Sequence, residues 1–168
     1  MEDLFIEQIQ DLYDAEERLV KALPKMADAS TSSDLRSAFE DHLTQTKGQL
    51  QRLEQVFEEI GKKAKGDTCE AMKGLIEEGE EMIDNVEPSA LRDAGLIAAA
   101  NRVEHYEMAG YGCARAMAEA LGLIKSAKLL EQTLEEERMA DEKLTKIAMQ
   151  KVNQEALRST GPKTRTAR

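Results

Sequence analysis

The sequence has few cysteines that could form disulfides and few prolines that would interrupt helices. It contains no Trp, 3 Pro and 2 Cys, and runs of strand-forming β-branched residues are missing. Cys69 and Cys113 show neither CxxC nor Cys/His ligand spacing, so we interpret both as reduced core or surface thiols. The 168 residues are rich in Ala, Leu, Glu, Lys and Met and can bury a full core without disulfides. This composition predicts a helical protein.

Positive charge is also scarce over most of the chain. The formal net charge is -10 and the sequence pI is about 4.8, which argues against nucleic acid or an anionic membrane as the main partner. The first residues, MEDLFIEQIQ, lack a basic region followed by an apolar run, and no apolar stretch is long enough to span a bilayer. We therefore expect a soluble, cytoplasmic protein that makes no membrane contact and whose acidic surface could attract cations.

Apolar residues recur at steps of three, four and seven along most of the chain, a spacing that predicts amphipathic helices. Gly61 and Gly122 end the second and fourth of these helices, and Pro88 marks the break before the fourth. The predicted helices run from about Glu2 to Ala29, from Ser33 to Ile60, from Asp67 to Val86, from Ser89 to Leu121 and from Lys125 to Asn153.

Two long helices, a crossover and two more long helices describe an all-α fold. The arrangement is that of a ferritin-like four-helix bundle with a long crossover containing a fifth, shorter helix. We expect residues 1–153 to form this bundle. Residues 154–168 are basic and lack apolar periodicity, so we expect them to form a disordered tail.

Three glutamates interrupt the apolar faces of the predicted helices. At about 100° per residue, Glu16, Glu107 and Glu137 each point to the middle of an apolar stripe. A shift of 91 residues superposes the two halves of the chain without a gap and sets Glu16 on Glu107. The same shift sets Thr46 on Glu137. The two halves of the chain therefore share one arrangement of helices but differ in a polar residue on the core face.

Other polar residues lie on or beside the same faces. The second helix offers His42, Thr46 and Gln49, while Glu104 and Asp141 lie one turn from Glu107 and Glu137 and could enlarge the cluster or lie at its edge.

Buried carboxylates cannot all ionise close together unless a cation compensates them or they share protons. Oxygen ligands with one or two nitrogens suit iron or manganese better than zinc. No ExxH pair occurs on the second or fifth helix, which leaves weaker, histidine-poor or single-metal binding open.

Five consecutive runs of the chain carry a family resemblance: LYDAEERLVKALPKMA, HLTQTKGQLQRLEQVF, CEAMKGLIEEGEEMI, GLIAAANRVEHYEMAGYG and LEEERMADEKL. Together they resemble the YciF/YciE-type bacterial ferritin-like stress proteins over almost all of residues 2–153. The resemblance implies a helical bundle, usually a homodimer, that serves in a stress response and holds a di-metal centre.

Residue by residue, the resemblance assigns site positions to this chain. Glu16 matches the glutamate of the family's AE run, and the EHYE, EE and HLxxTxxQ runs supply the remaining matches, which are Glu104, Glu107, Glu136, Glu137, His42 and Gln49. This chain has Gln45 where relatives typically have glutamate, so one potential carboxylate ligand is neutral.

Two functional hypotheses follow. In the first, Glu16, Glu107 and Glu137 are the main ligands of a di-iron or di-manganese centre that reacts with peroxide or dioxygen, in a ferroxidase-like or catalase-like way. His42, Gln49, Glu104 and Asp141 complete or orient the ligand shell, and Tyr106 or Tyr111 lies near enough to hydrogen-bond. In the second, the chain is a metal-free bundle that acts as a structural or interaction protein in a stress response. Iron storage in a cage and binding of DNA through the basic tail rank below both.

Overall fold

The computed structural model describes residues 1–160, and all its regular elements are helical. Four long helices and one shorter helix are followed by a π-helical segment and a final short helix. Their bounds are α1 Glu2–Ala29, α2 Ser33–Glu59, α3 Glu70–Asn85, α4 Ala90–Ala120, α5 Ile124–Ile147, the π-helical segment Ala148–Val152 and α6 Asn153–Thr160. Within this range no strand occurs.

The helices pack as the sequence predicts. The short loop after α1 makes α1 and α2 an antiparallel pair, the loop after α4 does the same for α4 and α5, and the two pairs pack together through α1 with α4 and α2 with α5. The crossover helix α3 packs on α1 and α4. The predicted all-α four-helix bundle with a fifth helix in its crossover is therefore confirmed.

Two predicted boundaries need correction. Helix α3 begins at Glu70 rather than near Asp67, because Cys69 caps it and its Sγ accepts a hydrogen bond from the amide of Met72 at 3.4 Å. The helical chain also does not end at Asn153. It continues to Thr160, because Val152 and Ala156 find buried positions and the added segment packs on α4. The rest of the predicted tail, 161–168, lies outside the described residues.

A polar layer divides the core. One apolar cluster fills the end of the bundle where α4 begins and includes Leu23, Phe39 and Leu96. A second cluster fills the opposite end and includes Phe5 and Phe57. Between them every long helix places at least one buried polar residue, and these residues are Glu16, His42, Thr46, Gln49, Glu104, Glu107 and Glu137. The packing on both sides thus fixes this layer in place.

Asp93 ties the start of α4 to the turn between α1 and α2. Its carboxylate is buried and accepts hydrogen bonds from the amide of Thr31 at 2.9 Å, the hydroxyl of Thr31 at 2.5 Å and the amide of Ser32 at 2.8 Å. These amides precede the first turn of α2, so one side chain satisfies donors that the helix itself leaves free.

No helix among the described residues combines the length and the apolar character needed to cross a membrane.

We expect the substitution Asp93→Ala to lower the free energy of unfolding by about 1–3 kcal/mol, because it leaves the buried amide of Ser32, and the amide and hydroxyl of the more exposed Thr31, without this acceptor. Urea denaturation followed by circular dichroism measures the change. Asp84→Ala, at an exposed aspartate near the end of α3, is the matched control and should stay within about 0.5 kcal/mol of the wild type. Equal effects of the two substitutions would contradict the role of Asp93.

Candidate metal centre

Four buried side chains of the polar layer converge on one point. His42 from α2, Glu104 and Glu107 from α4, and Glu137 from α5 each offer a ligand atom, and these atoms lie within 4.8 Å of one another. His42 Nε2 lies 3.5 Å from Glu104 Oε1 and 3.7 Å from Glu137 Oε2. These separations are long for hydrogen bonds but suit ligands that face a shared ion. The group could hold a metal ion.

Glu16 reaches the same layer from α1. Its side chain is fully buried, and Tyr111 donates a hydrogen bond to its Oε1 at 2.5 Å. The second carboxylate oxygen has no hydrogen-bond partner. Of the two tyrosines considered, Tyr111 is therefore the one that contacts the layer. Tyr106 instead donates to Asp11 and lies 2.9 Å from the thiol of Cys69, on the side of the bundle where α3 begins.

Gln49 orients Glu137 and connects it to a charged group. The amide of Gln49 donates to a carboxylate oxygen of Glu137 and, at 3.3 Å, to Glu136. Arg52 forms a bidentate pair with Glu136 at 2.5 and 2.8 Å and also donates to Thr133 at 2.7 Å. Arg52 was not among the predicted site residues. Its only signal in the sequence is its position one turn after Gln49 on the same helix.

Thr46 does not add a ligand to the layer. Its hydroxyl donates back to the carbonyl of His42 at 3.0 Å, within its own helix. Thr46, which the 91-residue shift sets on Glu137, is therefore hydrogen-bonded within its own helix.

Asp141 lies at the edge of the site rather than inside it. It accepts one hydrogen bond from Asn101 at 2.6 Å, and the exposed His105 lies 3.4 Å away. Glu104, the other residue left open by the sequence, is almost fully buried and belongs to the group of four. Cys113 is exposed and Cys69 is buried, and both are free thiols.

Most of the partnerless polar atoms of the protein are gathered in this layer. Twelve buried side-chain nitrogen and oxygen atoms of the described residues lack a hydrogen-bond partner, and eight of them belong to the layer. They are Glu16 Oε2, His42 Nδ1 and Nε2, Gln49 Oε1, Glu104 Oε2, both oxygens of Glu107 and Glu137 Oε2. A buried group left without a partner is unfavourable by about 1–3 kcal/mol, and more when charged. The donor set therefore fits a cation.

The carboxylates of the layer resist ionisation when no cation compensates them. Burial raises the pKa of Glu16, Glu104 and Glu107 well above its ordinary value, and the charges of neighbouring carboxylates raise it further. Burial also raises the pKa of Glu137 to about 7, although Glu104 and Arg52 act to lower it. At neutral pH the layer must hold protons or bind cations.

Burial acts on His42 in the opposite sense. It lowers the pKa of the imidazole to about 4, so the ring is neutral at pH 7. A neutral imidazole keeps a lone pair for a metal ion, which a protonated ring lacks. His42 would thus supply the one nitrogen donor in this group of four, whose other donors are carboxylate oxygens.

A four-helix bundle with a crossover helix and a buried carboxylate and histidine layer defines the class of protein: a ferritin-like helical bundle with a site that could hold a metal ion. Residues 1–157 match the family described as Domain of unknown function (DUF892), and the chain belongs to that family.

Two relatives support this assignment. The chain is 50% identical to Protein YciF of Escherichia coli K12 over 157 residues, which are 93% of this chain and 95% of that protein. The crystal structure of that E. coli stress protein matches with a TM-score of 0.87 and covers 90% of this chain and 96% of its own. YcfI of Rhodopseudomonas palustris matches with a TM-score of 0.84 at 41% identity, over 86% of this chain and 92% of its own. The resemblance to YciF-type stress proteins is confirmed.

A third match supports the fold alone. A protein from Xanthomonas campestris is 17% identical and matches with a TM-score of 0.73, over 94% of this chain and 96% of its own.

The raised pKa of Glu107 predicts a pH-dependent stability of the metal-free protein. The folded state keeps the proton of Glu107 above the ordinary pKa of 4.5, whereas the unfolded state releases it, so stability falls as pH rises through this window. Glu107→Gln cannot ionise. We expect this variant to gain at least about 1 kcal/mol of unfolding free energy relative to wild type between pH 5 and pH 8.

Urea denaturation in the presence of a chelator measures this difference. His42 contributes the opposite slope between about pH 4 and pH 6.5, because its folded pKa is lowered, but it does so in both proteins. Glu135→Gln, at an exposed glutamate of α5, is the control and should show no such gain. A pH-independent difference between Glu107→Gln and wild type would contradict the prediction.

Proposed function

We propose that the polar layer binds a pair of iron or manganese ions and that the loaded protein reacts with peroxide or dioxygen. The observation that carries the proposal is the gathering of eight partnerless buried polar atoms on Glu16, His42, Gln49, Glu104, Glu107 and Glu137. A set of several carboxylates with one imidazole and no sulfur suits iron or manganese.

The residues would divide into ligands and orienting groups. His42, Glu104, Glu107 and Glu137 are the nearest candidates for ligands, and Glu16 completes the carboxylates from α1. Tyr111 orients Glu16 and Gln49 orients Glu137 through the hydrogen bonds described above. Asp141 contacts Asn101 instead, so we assign it a place at the rim of the site and not a ligand.

When bound, a pair of redox-active ions supplies open positions for dioxygen or peroxide and the electrons that reduce them, which is the basis of ferroxidase-like and catalase-like activity. The chain itself contributes a fixed carboxylate set and apolar clusters on both sides that exclude bulk water. Because the relative YciF is described as a stress protein, we propose that this chain serves in a bacterial stress response. A cytoplasmic location and a homodimer stay predictions.

The second candidate is a metal-free bundle that acts as a structural or interaction protein. The observation in its favour is that α2 contributes the amide Gln49 and the histidine His42 to the layer, and no carboxylate. Protons shared among the four glutamates would then replace the cations.

Metal content decides between the two candidates. Mass spectrometry with inductively coupled plasma, on protein purified without chelators, should find about two ions of iron or manganese per chain, as expected for a di-metal carboxylate bundle. Glu16→Ala and Glu107→Ala should each lose most of this metal, because each removes a buried carboxylate. Glu135→Ala, at an exposed glutamate, should retain it.

A wild-type protein that carries no metal, and takes up none when iron or manganese is added, would contradict the metal proposal and support the second candidate. Bound metal that Glu16→Ala and Glu107→Ala retain would show that it lies elsewhere. If the metal lies in the layer, hydrogen peroxide and ferrous iron are the first substrates to test.

A further inference from the structure

A small cavity lies between the candidate metal centre and the surface. It has a volume of about 20 Å³, enough for one water-sized molecule. His42 and Glu104 line its inner side, and Gln45, Ala140 and Lys143 line it toward α2 and α5. His42 and Glu104 are at least nine-tenths buried and both carry partnerless polar atoms. A molecule in this cavity would meet those atoms.

The same three residues also line an open groove on the outside. The groove has a volume of about 460 Å³ and lies along the seam between α2 and α5. Gln45, Ala140 and Lys143 belong both to it and to the inner cavity, and Asp41 and Thr44 extend it along α2. These three side chains lie between the open groove and the space beside His42. We call this place the α2–α5 seam.

A weak contact closes the seam. Lys143 of α5 forms an ion pair with Asp41 of α2 at 2.8 Å, and the two side chains are 47% and 63% exposed. Exposed pairs of this kind contribute roughly 0–1 kcal/mol, and exposed side chains change rotamer in about picoseconds to nanoseconds. The seam can therefore open without moving a helix.

Other sides of the layer are closed more firmly. Toward the second apolar cluster, Gln49 and Arg52 donate hydrogen bonds to Glu136, and Arg52 also donates to Thr133. Between α1 and α4, Gly110 allows such close packing that a Cβ atom there would lie 2.8 Å from the side chain of Leu12. A cavity of about 20 Å³ does lie between α1, α3 and α4, but none of the polar residues of the layer lines it, whereas His42 and Glu104 line the inner cavity of the seam.

We propose that the α2–α5 seam is the route by which a small uncharged oxidant, of the size of dioxygen or hydrogen peroxide, reaches His42 and Glu104. The inner cavity limits the size of the molecule. The charges of Asp41 and Lys143 compensate each other at the mouth, so the seam attracts ions of neither sign. This inference deepens the proposed function and rests on it for its biological meaning, but the route itself can be tested in metal-free protein.

The first experiment uses dissolved dioxygen and nuclear magnetic resonance on metal-free protein. Dioxygen is paramagnetic and speeds the relaxation of methyl groups that it approaches. The methyl groups of Ala38 and Leu144, which line the inner cavity, should relax faster under oxygen pressure than those of Leu53, which is buried in the second apolar cluster. If oxygen pressure speeds the relaxation of all these methyl groups equally in the wild type, the proposal is overturned.

Two variants block the seam and a third is the matched control. Ala140→Phe fills the space between groove and cavity, and Lys143→Trp lays a large ring across the mouth at an exposed position, where folding should be unaffected. In both variants the extra methyl relaxation that dioxygen causes at Ala38 and Leu144 should fall to the level seen at Leu53. Ala22→Phe enlarges a buried alanine beside another cavity of about 20 Å³, between α1, α3 and α4, and should leave the effect unchanged.

The second experiment follows nitric oxide, a small uncharged ligand, as it binds to anaerobic protein loaded with ferrous iron. Stopped-flow absorbance gives the rate. Lys143→Trp and Ala140→Phe should slow binding at least about tenfold, because entry then requires slower motion of whole helices, while the iron content stays at the wild-type level.

Unchanged rates in Lys143→Trp would overturn the route even if Ala140→Phe fails to fold. If the wild type binds neither iron nor manganese, the proposed function fails, whereas the dioxygen experiment still decides whether the seam admits small molecules.

Discussion

Negative charge buried between two apolar clusters is the constraint on which the centre of this protein depends. Glu16, Glu104, Glu107 and Glu137 meet in one layer, and a carboxylate transferred from water into such surroundings is strongly destabilised unless it is compensated. The protein supplies few compensating donors. Tyr111 reaches Glu16, Gln49 reaches Glu137, and Arg52 acts from outside through Glu136. The remaining charge must be removed by protons or balanced by cations.

The duplicated architecture explains why the layer is uneven. Helices α1 and α4 supply Glu16 and Glu107 at equivalent positions, but α2 has Thr46 where α5 has Glu137. Thr46 turns its hydroxyl back to its own helix, and His42 and Gln49 on the same helix face the layer instead. Helices α1, α4 and α5 therefore contribute carboxylates to the layer, and α2 contributes only neutral groups that accept or donate hydrogen bonds. The weakly closed seam lies along α2.

Helical periodicity predicted the bundle and the deepest glutamates, because the side chain of a residue at the centre of an apolar stripe must point into the core. Glu104 and Asp141 lie off the stripe centres, and periodicity could not separate them: Glu104 turns inward, while Asn101 holds Asp141 at the rim. The extension of the helix to Thr160 was missed because the π-helical segment Ala148–Val152 interrupts the regular helical period before the buried Ala156. The Arg52 pair and the seam depend on contacts between helices, which spacing within one helix does not reveal.

In the proposed metal-loaded protein, cations replace protons in the polar layer. Titration calorimetry with manganese, repeated at pH 6.5 in two buffers with different ionisation enthalpies, counts the protons released as the metal binds. Because burial raises the pKa values of Glu16, Glu104 and Glu107 well above the ordinary value of a glutamate, we expect binding to release more than one proton per chain. Binding that releases no protons would contradict this expectation, since the metal would then occupy carboxylates that were already ionised.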